Sequence, residues 1–156
     1  MMRRLVGSEM CIRDRDYVDE NEKIFFVLGD NFFENSPFNN FDFKNFHEGA
    51  CIFTTEVENP EEFGVAEMDI DGKVLSIEEK PTNPKSNDAV VGLYMFDNSV
   101  FNKIDTLEPS ARGEYEITDL CNIFVSENKC MNLNINGWWI DAGTPERIIE
   151  LEEKLS

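Results

Sequence analysis

From Asp16 onward the apolar positions fall into short blocks of two kinds, continuous runs and alternating or helical spacings. IFFVLG, Ile24 to Gly29, is a continuous run of the length of a strand and predicts a buried one, closed by Asp30 and Asn31. Phe38 to Phe46 carries phenylalanines at 38, 41, 43 and 46, a mixed spacing that leans towards a helix with Phe41, Phe43 and Phe46 on a core face. ACIFTTEV, 50–57, is rich in strand formers. EFGVAEMD and KVLSIEEKP stand on either side of Asp71-Gly72, which predicts a hairpin. AVVGLYMFD, 89–97, reads as another buried strand, followed by a short amphipathic helix over 98–106. Ile117, Leu120, Cys121, Phe124 and Val125 have the spacing of one helix face, whereas Met131, Leu133 and Ile135 alternate as in a strand. Thr144-Pro145-Glu146 is a helix start, with a capping hydroxyl and proline at the first helical position, and the helix runs on through TPERIIELEEKL. Strands alternating with helices predict an α/β fold, and the hairpin adds antiparallel pairing to its sheet.

Composition narrows the function. The 156 residues suffice for one domain, and 41% hydrophobic residues with thirteen phenylalanines can build a real core. A net charge of −18 excludes binding of nucleic acid through its phosphates, which needs a basic surface. An anionic small molecule remains possible if local amides, Lys, Arg or Mg²⁺ supply positive field. No stretch of about 18 apolar residues is present, so no membrane helix is expected. The four cysteines, Cys11, Cys51, Cys121 and Cys130, form no CxxC pair and read as small buried apolar residues in a reducing cytoplasm. With His47 as the single histidine, neither a zinc site nor a Ser-His-Asp triad is expected.

Residues 1–15 stand apart. MMRRLVGSEMCIRDR shares no periodicity with the rest of the chain and lacks the apolar core of a signal peptide. LVGSEMCIRDR, from Leu5, resembles the conceptual translation of a sequencing adapter, so residues 1–15 are expected to be non-native and 16–156 to form the domain. Four of the fourteen basic and two of the thirty-two acidic residues lie in that segment, which leaves 16–156 at −20.

Four polar groups interrupt apolar segments: Asp30, the EEKP run ending at Pro81, Arg112 to Glu116, and Asp141 after GWWI. Ligands of open α/β sheets bind beyond the carboxyl ends of strands, where Asp30 and Asp141 both stand. Two converging carboxylates suit Mg²⁺, and Lys80 and Arg112 offer positive charge in an acidic chain. Each group taken singly is also consistent with surface decoration. Trp138 and Trp139 read as core or pocket wall, and Asp69 to Gly72 reads as a hairpin turn rather than a calcium loop, because the later ligands are missing.

VLGDN, PEEFGVAEMD, SIEEKPTNPKSNDAVVGLYMFD, PSARGEYEITD and GWWIDAGT, in this order, resemble the glucose-1-phosphate thymidylyltransferases among the sugar-1-phosphate nucleotidylyltransferases. The resemblance covers roughly Ile24 to Glu152 and implies a Rossmann-like mixed α/β sheet of the nucleotidyltransferase type. It implies that Asp30 and Asp141 bind Mg²⁺, that Phe63 and Gly64 line the sugar pocket, and that Glu79 binds glucose hydroxyls. Lys80 and Arg112 would face the phosphate, and Val90 would contact the sugar through its backbone. No protein nucleophile is implied. The implied substrates are dTTP and glucose 1-phosphate, giving dTDP-glucose and pyrophosphate for deoxysugar and cell-surface polysaccharide synthesis, in a cytoplasmic homotetramer.

The departures shape the expectation. The family's Gly-rich nucleotide loop, GGxGTRL, and its first strands do not occur in the sequence, so the domain is expected to be incomplete at its N-terminus and inactive as this polypeptide alone. Phe63 stands where tyrosine is common, Val91 where threonine is usual, and ENSPFNN where a glycine-rich stretch is usual. A uridylyl- or cytidylyltransferase of the same family, or a non-catalytic sugar-phosphate-binding domain, remains an alternative.

Overall fold

The computed structural model describes residues 15–19, 21–39, 41–42, 46–110 and 113–156. Among the described residues eight strands and three α-helices follow one another as β1 (Ile24–Val27), β2 (Asn31–Phe33), β3 (Ala50–Glu56), β4 (Gly64–Met68), β5 (Val74–Glu79), β6 (Asp88–Phe96), α1 (Val100–Ile104), α2 (Ile117–Ser126), β7 (Cys130–Asn134), β8 (Trp139–Asp141) and α3 (Pro145–Leu155). The main sheet has the order β5-β4-β6-β3-β7, with β1 also paired to β6. β3 and β7 are parallel and the other pairs antiparallel, so the sheet is mixed as the sequence predicts.

β6 is the hub. Its first half meets β4 at Ala89, and its last four residues meet β1 from Ile24↔Phe96 to Val27↔Leu93. β3 runs along its other side. A strand flanked on both edges and covered on both faces must be apolar at every position, which explains the unbroken AVVGLYMF. Its alternate residues feed two cores. Val90, Tyr94 and Phe96 join Ile52, Phe101, Leu120 and Phe124 under α1 and α2. Val91, Leu93 and Met95 join Phe46, Cys51 and Phe53 on the opposite face, where Phe38, Phe41, Leu133 and Trp139 pack.

The hairpin forms as expected. Gly72 takes φ +79, and Asp69 Oδ1 accepts from the amides of Asp71 and Lys73, both at 2.9 Å. That carboxylate closes the turn. α2 spans 117–126 and α3 begins at Pro145, where the Thr144 hydroxyl accepts from Arg147 N at 3.4 Å. Cys51 and Cys121 are buried and Cys130 partly so; Cys11 lies outside the described residues. Burial, with a smaller contribution from neighbouring thiols, pushes the Cys51 and Cys121 thiols well up, and burial alone pushes Cys130 up to about 12, so all three are inert thiols at neutral pH. None of the helices of the described residues is long and apolar enough to cross a membrane.

Two expectations change. β1 is not buried: it pairs with the end of β6 and leaves Phe25 40% and Val27 53% exposed. A short apolar run cannot distinguish a central strand from one paired on a single side. The helical leaning of 38–46 also fails where it can be followed. Residues 37–39 form a turn, with Asn39 N donating to Ser36 O and Phe41 N to Phe38 O. Phe38, Phe41 and Phe46 still pack on the second core, while Phe43 lies outside the described residues.

Candidate functional site

Asp30 follows β1 through a turn in which Leu28 N donates to Gly92 O at 2.8 Å and Asn31 N to Leu28 O at 3.2 Å. The chain then enters β2, which pairs antiparallel with β8 in a separate two-stranded ribbon, with Asn31 opposite Asp141 and Phe33 opposite Trp139. Ala142 N donates to Asp30 O at 2.7 Å and holds the two strand ends together. The result is a pair of carboxylates on one edge. A Cβ placed at Gly143 would stand 3.0 Å from Asp141 Oδ1 and 3.7 Å from Asp30 Oδ2, so the two oxygens are no further apart than those distances laid end to end. Glycine leaves that notch open. Among the described residues no third His, Cys, Asp or Glu completes a metal cluster. Two hard oxygen donors on one edge fit Mg²⁺, which keeps waters and takes the rest of its shell from a substrate phosphate.

The second group of predicted residues assembles on β4, β5 and β6. The hairpin register puts Gly64 opposite Glu79. A Cβ at Gly64 would lie 2.9 Å from Thr118 Cγ2, 3.3 Å from Glu79 Oε2 and 3.9 Å from Val90 Cβ, so these four residues share one cluster with no room for a side chain at position 64. Thr118, second residue of α2, is 2% exposed and its hydroxyl has no hydrogen-bond partner. Lys80 N donates to Phe63 O at 2.9 Å and continues the ladder one step beyond β5, yet Lys80 sits at φ +46. A left-handed lysine stores about 1 kcal/mol of strain, a feature concentrated at ligand sites. Arg112 lies outside the described residues.

Phe63 joins the two groups. It is buried, meets Trp139 edge to face with ring centroids 5.1 Å apart, and carries the Arg147 guanidinium 5.0 Å from its ring centroid. Arg147 also pairs with Glu62 at 2.9 Å. Trp139 precedes Asp141 by two residues on β8, so an aromatic wall links the Gly64–Glu79 cluster to the carboxylate pair. Phe63, Trp139 and Arg147 also wall a cleft of about 550 Å³ with Glu62, Thr144 and Glu150. Neither Asp30, Asp141 nor Glu79 lines it, so it is separate from the carboxylate pair. Asn31, Gly92, Thr118 and Arg147 did not emerge from sequence reasoning. Asn31, Gly92 and Thr118 do stand within the motifs VLGDN, AVVGLYMFD and PSARGEYEITD, where nothing sets them apart from their neighbours.

The fold recurs in solved structures. A Bacillus anthracis protein described as a glucose-1-phosphate thymidylyltransferase, in complex with sucrose, superimposes with a TM-score of 0.82 at 38% identity over 94% of this chain and 59% of its own. A UDP-glucose pyrophosphorylase bound to UDP-glucose superimposes with the same TM-score at 18% identity, over 99% of this chain and 63% of its own, a likeness of fold alone. In sequence, the low-salt glycan biosynthesis nucleotidyltransferase Agl11 of Haloferax volcanii is 38% identical over 141 residues, 89% of this chain and 39% of the relative. The glucose-1-phosphate thymidylyltransferase of Neisseria meningitidis is 41% identical over 135 residues, 83% of this chain and 46% of the relative. The chain thus spans less than half the length of these curated relatives. The nucleotidyl transferase family model matches residues 9–156, the whole of β1 to α3, and the chain belongs to that family.

Proposed function

We propose that this chain carries the sugar-phosphate and metal side of a glucose-1-phosphate thymidylyltransferase. The observation that carries the reading is the placement of the Asp30–Asp141 pair and the Gly64–Glu79–Val90 cluster at the two ends of one Trp139–Phe63 wall. In the reaction an oxygen of glucose 1-phosphate attacks the α-phosphorus of dTTP; the new P–O bond forms as the bond to the leaving pyrophosphate breaks. Such transfers depend on positioning and charge neutralisation more than on a protein nucleophile. Mg²⁺, when bound, neutralises charge on the transferring phosphate. Asp30 and Asp141 would hold it, Glu79 accepts hydrogen bonds from sugar hydroxyls, and the exposed Lys80 beside it attracts the phosphate together with Arg112. Val90, buried in the same cluster, contacts the sugar through its backbone. The cytoplasm is the proposed location, and a homotetramer the proposed assembly of the whole protein.

A second reading concerns the base. Relatives at similar identity include bifunctional GlmU proteins as well as thymidylyltransferases, and the Gly64–Glu79 cluster reads a sugar rather than a base. A uridylyl transfer on the same sugar-phosphate site fits these residues equally.

The test is calorimetric titration of the chain with glucose 1-phosphate, with and without Mg²⁺. Binding is expected, and Mg²⁺ is expected to tighten it. Glu79→Gln should weaken sugar-phosphate binding about tenfold or more while leaving Mg²⁺ binding within about twofold. Asp141→Asn should do the reverse, abolishing the Mg²⁺ enhancement. Equal effects of the two substitutions on both ligands would overturn the division of roles, and absence of glucose 1-phosphate binding would overturn the reading.

A further inference from the structure

Asn31 makes three hydrogen bonds through one carboxamide. Its Oδ1 accepts from Trp139 Nε1 at 2.6 Å and from Gly92 N at 2.9 Å, and its Nδ2 donates to Asp30 Oδ1 at 2.9 Å. The orientation is unambiguous, because an indole N–H and a backbone amide can only donate, which leaves the NH₂ group to face the carboxylate. Gly92 makes the room: a Cβ there would stand 2.5 to 2.7 Å from the Nδ2, Cγ and Oδ1 atoms of Asn31. β6, the hub of the main sheet, therefore grips the first residue of the ribbon through a side chain.

We propose that Asn31 is a positioning residue that sets Asp30 for the cation and Trp139 for the sugar at the same time. Asp30 is exposed, and a free carboxylate at a strand end rotates. The Asn31 amide occupies its Oδ1 and leaves Oδ2 on the side of Gly143 and Asp141. The Asn31 oxygen fixes the Trp139 indole, and with it the edge that meets Phe63. Outer partners of metal-binding carboxylates are worth about 10- to 100-fold in metal affinity. This role of Asn31 rests on the metal-and-sugar reading of the site.

The experiment uses Mn²⁺ as the cation probe, followed by paramagnetic resonance, together with hydrogen exchange of the indole N–H groups by nuclear magnetic resonance. Trp139→Phe identifies the Trp139 indole signal. Asn31→Asp is the informative variant. Its carboxylate still accepts from Trp139 and Gly92, so the fold and the slow exchange of the Trp139 indole hydrogen should persist. Among the described residues the Asp30 carboxylate then loses its Asn31 donor. Coulomb attraction alone would make an added negative charge tighten cation binding; loss of positioning should instead weaken it about tenfold. Asn31→Ala should weaken it at least as much and release the indole hydrogen to fast exchange. Mn²⁺ binding by Asn31→Asp as tight as that of the unsubstituted chain, or tighter, would overturn the proposal and leave the metal site standing. Fast indole exchange in the unsubstituted chain would overturn the Trp139 half. Absence of Mn²⁺ binding by the unsubstituted chain would remove the metal reading and this proposal with it.

Discussion

Phe124→Ala should lower the unfolding free energy by about 4 kcal/mol, most of the margin of an ordinary domain. The ring is fully buried on α2, lies 5.6 Å from Phe96 on β6, and carries the Lys103 ammonium 4.7 Å from its centroid. Truncation leaves a cavity between helix and sheet and removes the partner that lets the Lys103 ammonium lie against the core. Phe124→Leu refills most of the volume and should cost about 1.5 kcal/mol. Urea unfolding followed by circular dichroism gives both values. A loss below about 2 kcal/mol for alanine would mean that α2 is held chiefly by other contacts, and that the Thr118 end of the helix is positioned independently of its Phe124 end.

Gly49→Ala should cost about as much, for a different reason. Gly49 has φ +96, and a Cβ there would stand 2.1 Å from the Lys129 carbonyl oxygen, which itself accepts from Ala50 N at 2.8 Å. The obstacle is backbone already tied into the β3–β7 pairing, so it cannot swing aside as a flexible side chain could. The positive φ alone costs about 1 kcal/mol and the overlap adds about 2 kcal/mol or more. Gly72→Ala separates the two contributions, since Gly72 has φ +79 with nothing within 4 Å of its Cβ position. That substitution should cost about 1 kcal/mol. Equal losses at Gly49 and Gly72 would show that the β3–β7 junction yields to the extra atom.

The strands and helices that carry strong periodicity were readable: the AVVGLYMF hub, the Asp-Gly hairpin, the 117–126 helix and the Thr-Pro helix start all stand where the pattern places them. Asp30 and Asp141 were readable as a pair because each ends an apolar run, and the ribbon register does bring them to one edge. The ribbon itself was not. NFF and WID are three residues each, too short for any period to register, and their partners lie more than a hundred positions apart. Asn31 was invisible for the same reason, since its acceptors and donors come from three separated segments and its polarity beside Asp30 looks like ordinary turn chemistry. The exposure of Phe25 and Val27 depends on which side of β1 is paired, and hydrophobicity carries no such information. The left-handed backbone of Lys80 likewise answers to no preference of lysine, so the residue type gives no sign of it.

With the acids on the β2–β8 ribbon rather than on the main sheet, their fluctuations reach the core through side chains: the Asn31–Gly92 hydrogen bond and the packing of Phe33, Trp139 and Ile140. Two strands of three residues, paired only with each other, open locally at less free energy than a long strand paired on both sides, such as β6. Substitutions that loosen the packing of Phe33 or Trp139 on the second core therefore widen the excursions of Asp30 and Asp141 as well. A ligand bridging the two ribbon strands must supply the ordering itself, so its measured affinity is its contact energy less the cost of closing the ribbon.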